Sequence, residues 1–173
     1  MCRFVAYIGS EKILLSDLVE KPENSLINQS KSSEDGVSST NADAVGIAWY
    51  KQNLSNEPGV FKSTQPAWNN RNLKHLIDKI NAECFLAHVR ASTVGDVSQS
   101  NCHPFYYKNY SFVHNGTIRK IQTIKRDLLN TLSQDLFSNI RGNTDSECFF
   151  FLIMHYMQQE SLSPEEAFLK AAS

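Results

Sequence analysis

The sequence predicts an α+β fold, and three observations predict it. Short runs rich in β-branched and aromatic residues recur through the first part of the chain, at residues 3–8, 44–50, 60–63, 84–90 and 110–114. Two capping signals, Thr144-Asp145-Ser146-Glu147 and Ser163-Pro164-Glu165-Glu166, open helices near its end. Strands early and helices late segregate as in a sheet-and-helix domain rather than alternating as in a parallel sheet.

Taken in order, residues 3–8 form a first strand ending at Gly9, and Ile13-Leu14-Leu15 with Leu18-Val19 make a short helix closed by Pro22. Residues 25–41 are rich in Ser, Asn and Asp and read as a long loop, either disordered or a flap over a site. The apolar run 44–50 is a buried strand. After turn chemistry at 52–59, residues 60–63 pair back on it as a hairpin. Leu73, Leu76, Ile77 and Ile80 recur at helical spacing. In the strand 84–90, alternation puts Cys84, Leu86, His88 and Arg90 on one face and Phe85, Ala87 and Val89 on the other. The strand 110–114 stops at Asn115-Gly116, a strong turn signal. Ile121, Ile124, Leu128, Leu129 and Leu132 mark a helix. Residues 148–157 are apolar nearly all round and demand burial on most sides.

Bulk properties narrow the function. The 173 residues carry a formal net charge of -1 and 41% hydrophobic residues, an ordinary globular composition for one domain. No basic field attracts nucleic acid, and no polybasic patch attracts a membrane surface. The longest apolar run, 148–154, is far too short to span a bilayer, and the first residues lack the pattern of a secretory signal. Cys2, Cys84, Cys102 and Cys148 are too scattered for a disulfide framework and lack structural-zinc spacing, so no metal is expected. Reduced thiols suit the cytoplasm.

Chemistry first suggests itself at Cys2. A side chain this small permits removal of Met1, which leaves a thiol and a free α-amine on one residue. An amine with a pKa of about 8 can take the proton of a thiol with a pKa of about 8.5, so the residue needs no separate histidine. By itself Cys2 is more simply read as a small apolar residue opening a strand.

Other polar landmarks follow in order: Asn41-Ala42-Asp43, His88-Val89-Arg90 with Thr93, Asn101-Cys102-His103-Pro104-Phe105, His114-Asn115-Gly116 and Asn143-Thr144-Asp145-Ser146-Glu147. Together with Cys2 this series resembles the class II glutamine amidotransferases, N-terminal-nucleophile hydrolases, and most of all their stand-alone branch related to γ-glutamyl amidases. The resemblance implies an αββα sandwich. It also implies that Cys2 is the nucleophile, and that Asn115 and Gly116 donate to the oxyanion through a side-chain amide and a backbone N–H. Arg90 would pair with the substrate α-carboxylate, Asp145 with its α-ammonium, and Thr93 would line the substrate pocket. Asn41 and Asp43 would border the site. His88 and His114 are read as hydrogen-bonded sheet histidines, and His103 as a residue shaping the pocket rim. Where branch members usually carry glycine, this chain has Ala44 and Ala48.

Relatives run beyond Ser173, so residues 1–173 are expected to be the N-terminal part of a glutamine amidotransferase type-2 domain. Without the later strands such a sandwich exposes an edge or an apolar face. The implied activity is cleavage of the γ-amide of glutamine or a γ-glutamyl compound through a Cys2 thioester, with no metal or organic cofactor. No acceptor domain is visible, which leaves hydrolysis and amidotransfer to a partner protein or within an oligomer equally open. The rival is a non-catalytic module that keeps the fold and binds a γ-glutamyl ligand or a protein partner.

Overall fold

The structure, a computed structural model, describes residues 2–31, 44–90 and 98–173. It divides into two compact units, Met1–Asn115 and Gly116–Ser173. The first unit holds strands β1 (Arg3–Leu14), β2 (Ala44–Lys51), β3 (Ser55–Ser63), β4 (Asn81–Arg90), β5 (Phe105–Tyr107) and β6 (Tyr110–Phe112), with helices α1 (Ser16–Val19), α2 (Leu26–Lys31) and α3 (Arg71–Ile77). Four strands make an antiparallel sheet in the order β1-β4-β2-β3, and β5-β6 is a separate two-stranded ribbon. The expected α+β class is the class observed.

The alternation read in residues 84–90 sets the layers. Phe85, Ala87 and Val89 join Val45 and Ile47 of β2 in one buried cluster with Leu15, Val19, Leu26, Ile27, Leu73 and Ile77. Phe85, Leu73 and Ile77 are wholly buried, and each contributes about 2–3 kcal/mol of hydrophobic stabilisation. Helices α1–α3 therefore cover one face. The opposite face carries Gly46, Tyr50 and His88, and it meets the segment around His103 and the ribbon. Tyr50 donates to the Ser111 hydroxyl at 2.7 Å, and His103 packs on His88. Along β1 that second face is bare, with Phe4 50% and Ile8 85% exposed.

Three local expectations are corrected. Ile13 and Leu14 belong to β1, whose pairing with β4 resumes at Ile13↔Ala82 after an irregularity beyond Ile8. The helix there is only Ser16–Val19. Residues 26–31 of the expected 25–41 loop form α2, because Ser25 caps the Asn28 N–H at 3.2 Å and Leu26 and Ile27 are buried. The remainder, residues 32–41, lies outside the described residues. Strand β3 begins at Ser55 rather than residue 60, with Gly59 opposite Trp49 and so close that a Cβ would run into the indole ring.

The second unit is helical: α4 (Ile121–Thr131), α5 (Gln134–Asn139), α6 (Asp145–Gln159) and α7 (Pro164–Ala172). Both predicted N-termini are present. Thr144 accepts from the Glu147 N–H at 3.1 Å, and Ser163 with Glu166 forms a complete reciprocal cap. Helix α6 buries Cys148, Phe150, Phe151, Ile153 and Met154. Among the described residues, no helix is long and apolar enough to cross a membrane.

Candidate active site

Sheet register brings the first landmarks together. Arg3 opposes Val89, and Ala44 opposes Arg90, so Cys2, one residue before Arg3, lies at the end of the sheet where β4 delivers Arg90. Ala44 and Ala48 keep β2 in regular pairing, at 1% and 0% exposure. The backbone there tolerates a methyl group where glycine was expected.

Asn115 lies three residues past the end of β6. Its side-chain Nδ2 donates to the Cys2 carbonyl at 2.8 Å, across 113 residues of sequence. The candidate nucleophile and the candidate oxyanion donor are thus joined directly within the first unit. Asn115 and Gly116 are both exposed, and Cys2 is half-buried. Thr93, Asn41 and Asp43 lie outside the described residues.

Behind Arg90 the same sheet face is closed by two histidines. His88 is 1% exposed and His103 7%, with ring centroids 4.5 Å apart. The other side of His103 meets Phe105 edge-on, also at 4.5 Å. His88 Nε2 and both ring nitrogens of His103 lack a hydrogen-bond partner. Burial, with the charges of Arg90 and His114 behind it, pushes His88 down to about 4. Burial does the same to His103, to about 2, aided by His88, His114, Lys62 and Arg90. Both rings are therefore neutral at pH 7. His103 is buried between His88 and Phe105, and His88 Nε2 is not hydrogen-bonded as a sheet histidine was expected to be.

In the second unit Asp145 opens α6 as expected. Its Oδ1 accepts from the Ser146 N–H and its Oδ2 from the Ile118 N–H, each at 2.7 Å. Ile118 lies two residues past Gly116, so Asp145 is tied to the chain just beyond the Asn115-Gly116 pair. The sequence reading missed the support for this arrangement. Glu147, 3% exposed, does not close the capping box. Its carboxylate instead accepts from the Arg141 and Gly142 N–H groups at 3.0 and 2.8 Å, holding the turn that leads into Thr144 and Asp145. A carboxylate that reaches back beyond the N-cap leaves the same sequence signature as one that stops there, so no sequence signal separates them.

A shallow pocket lined by Lys12, Tyr50, Glu83 and Cys84, among others, includes none of the predicted site residues. Among the described residues, no group of three or more His, Cys, Asp or Glu side chains is arranged to hold a metal ion.

Residues 19–172 match the family model described as glutamine amidotransferases class-II. The probable glutamine amidotransferase DUG3 of Saccharomyces cerevisiae is 42% identical over 172 residues, covering 96% of this chain and 48% of that protein. The gamma-glutamyl-hercynylcysteine sulfoxide hydrolase of Mycolicibacterium smegmatis is 30% identical over 125 residues, covering 68% of this chain and 52% of that protein. The chain thus spans about half the length of these two relatives. A solved glutamine aminotransferase class-II domain protein from Silicibacter pomeroyi superposes with a TM-score of 0.71 at 24% identity, over 99% of this chain and 61% of that one, a likeness of fold. On the family match and the identity to the yeast protein, the chain belongs to the class-II glutamine amidotransferases.

Proposed function

We propose that residues 1–173 are the N-terminal part of a glutamine amidotransferase type-2 domain, and that the domain cleaves the γ-amide of glutamine or a γ-glutamyl compound at Cys2. The observation that carries this reading is the 2.8 Å hydrogen bond from Asn115 Nδ2 to the Cys2 carbonyl. It joins the two groups an acyl transfer at Cys2 requires, a nucleophile and an adjacent donor for developing negative charge.

In the proposed reaction the Cys2 α-amine, freed by loss of Met1, takes the thiol proton, and the thiolate attacks the γ-carbonyl carbon. The C=O electron pair moves onto oxygen, where Asn115 and the Gly116 N–H receive it. Collapse of this intermediate breaks the C–N bond. The leaving nitrogen takes the proton from the α-ammonium, and a γ-glutamyl thioester remains. Water, deprotonated by the same amine, then releases the acid and restores the thiol. In this reading Arg90 supplies a cation for the α-carboxylate of a free amino acid, Asp145 supplies an anion for its α-ammonium, and Thr93 is a substrate-pocket residue. No organic cofactor enters this scheme.

The leaving group is left open by these residues. The relatives include both a probable amidotransferase and a γ-glutamyl hydrolase, so water and a partner-supplied acceptor both fit. A cytoplasmic setting suits a thiol nucleophile that must stay reduced. The test is release of ammonia or glutamate from a panel of γ-glutamyl amides, with Cys2→Ala as control. Release abolished by Cys2→Ala supports the reading. A folded protein that binds γ-glutamyl ligands without turning any over sinks it in favour of a binding module.

A further inference from the structure

We infer that Asn115 is also the positioning residue for the nucleophile, fixing the Cys2–Arg3 peptide as well as facing an oxyanion. A carboxamide nitrogen carries two N–H donors, pointing about 120° apart. One of them is committed to the Cys2 carbonyl at 2.8 Å, so only the other is left to receive charge from a substrate. The bond falls at the end of the β1–β4 ladder. Pairing between β1 and β4 begins at Arg3↔Val89, and Cys2 lies one residue outside that ladder. A terminal residue beyond the last ladder pair frays unless something ties it down. Asn115 ties it from a distant segment, just past β6. Even a displacement of about 1 Å costs a reacting thiol much of its rate, so a clamp on its own main chain is a catalytic requirement in its own right.

The oxyanion half of this account rests on the proposed function, whereas the clamp does not. Activity cannot separate them, because Asn115→Ala lowers turnover on either account. Amide hydrogen exchange can separate them, since the Arg3 N–H belongs to the peptide whose carbonyl accepts the bond. The measurement compares the Cys2→Ser protein with the same protein carrying Asn115→Ala or the near-isosteric Asn115→Asp, which cannot donate. No turnover is involved. Exchange at Arg3 should rise roughly fivefold or more in both variants, the worth of one hydrogen bond, while peptides from the centres of β2 and β4 stay unchanged. Unchanged exchange at Arg3 in either variant, with the central strands intact, overturns the clamp even if the enzyme proves active. Acceleration at Arg3 in a protein that cleaves no γ-glutamyl amide leaves the clamp standing and overturns only the proposed reaction.

Discussion

His88 and His103 pack with ring centroids 4.5 Å apart and planes tilted at 36°, one ring on β4 and the other on the segment that leads into β5. Neither ring can take a proton without placing a charge beside Arg90 and His114, and for His103 also beside Lys62. The folded pKa values lie below the unfolded value of 6.5, so the unfolded chain binds protons that the folded one refuses. The stability they contribute is complete above 6.5 and is lost as pH falls toward about 4 for His88 and about 2 for His103. For His88 alone the change from 6.5 to about 4 corresponds to about 3 kcal/mol. The urea midpoint should fall steadily as pH drops from 6.5 to 4, and His103→Phe should flatten that slope. Identical slopes in wild type and variant would show that the pair titrates no differently folded than unfolded.

Beneath this pair, Gly46 is where β2 lets the His103 segment approach. A Cβ at Gly46 would run into the His103 carbonyl oxygen, a backbone atom with no rotamer to escape through. Gly46→Ala should destabilise the protein by about 1–3 kcal/mol, as overpacking does, whereas Ala44→Gly, one ladder position from Val45, should cost under about 1 kcal/mol. Denaturant midpoints measured in parallel check the contrast. Equal effects at the two positions would mean the layers slide freely.

Much of this was legible in the sequence, and the exceptions have physical causes. Alternation in residues 84–90 separated the two faces of β4, with Phe85, Ala87 and Val89 joining the core cluster and His88 and Arg90 on the opposite side. The cap at Thr144 was legible because N-capping is local chemistry. Helix α2 was hidden because six residues with only Leu26 and Ile27 as anchors carry too little periodicity beside their Ser and Asn neighbours. At the site, the landmarks gave Cys2 and Asn115 as candidates, but their direct bond spans 113 residues and no local pattern encodes it. The roles of Thr93, Arg90 and Asp145 rest on the resemblance and remain part of the proposal.

Glu147 offers a separate check on the second unit. Its buried carboxylate satisfies two backbone N–H groups at Arg141 and Gly142. Glu147→Ala removes the acceptor from both and should cost roughly 1–3 kcal/mol, since the N–H of half-buried Gly142 loses its partner while exposed Arg141 can turn to water. Glu147→Gln keeps one acceptor oxygen and should lose about half as much. A neutral Glu147→Ala, measured by urea unfolding, would show that water replaces the carboxylate and that the turn before Asp145 needs no anchor.

The last prediction concerns Met1. If Cys2 acts as proposed, its own α-amine is the general base and must be free and largely unprotonated near neutral pH. With Met1 retained, that nitrogen is part of a peptide bond and has no usable basicity, and an added residue crowds the thiol. The retained form should be inactive even when fully folded, and glutamine-like electrophiles should label Cys2 only after processing. The competing base would be a histidine on the same sheet face. Burial holds His88 at about 4 and His103 at about 2, so both are poor proton acceptors at pH 7. That weakens the histidine alternative before any experiment. A histidine base predicts that Met1 removal is of little consequence, and a terminal amine predicts that it decides everything. Intact-mass measurement paired with the activity of processed and unprocessed protein separates the two. Full activity in a preparation shown to keep Met1 would end the case for the N-terminal mechanism.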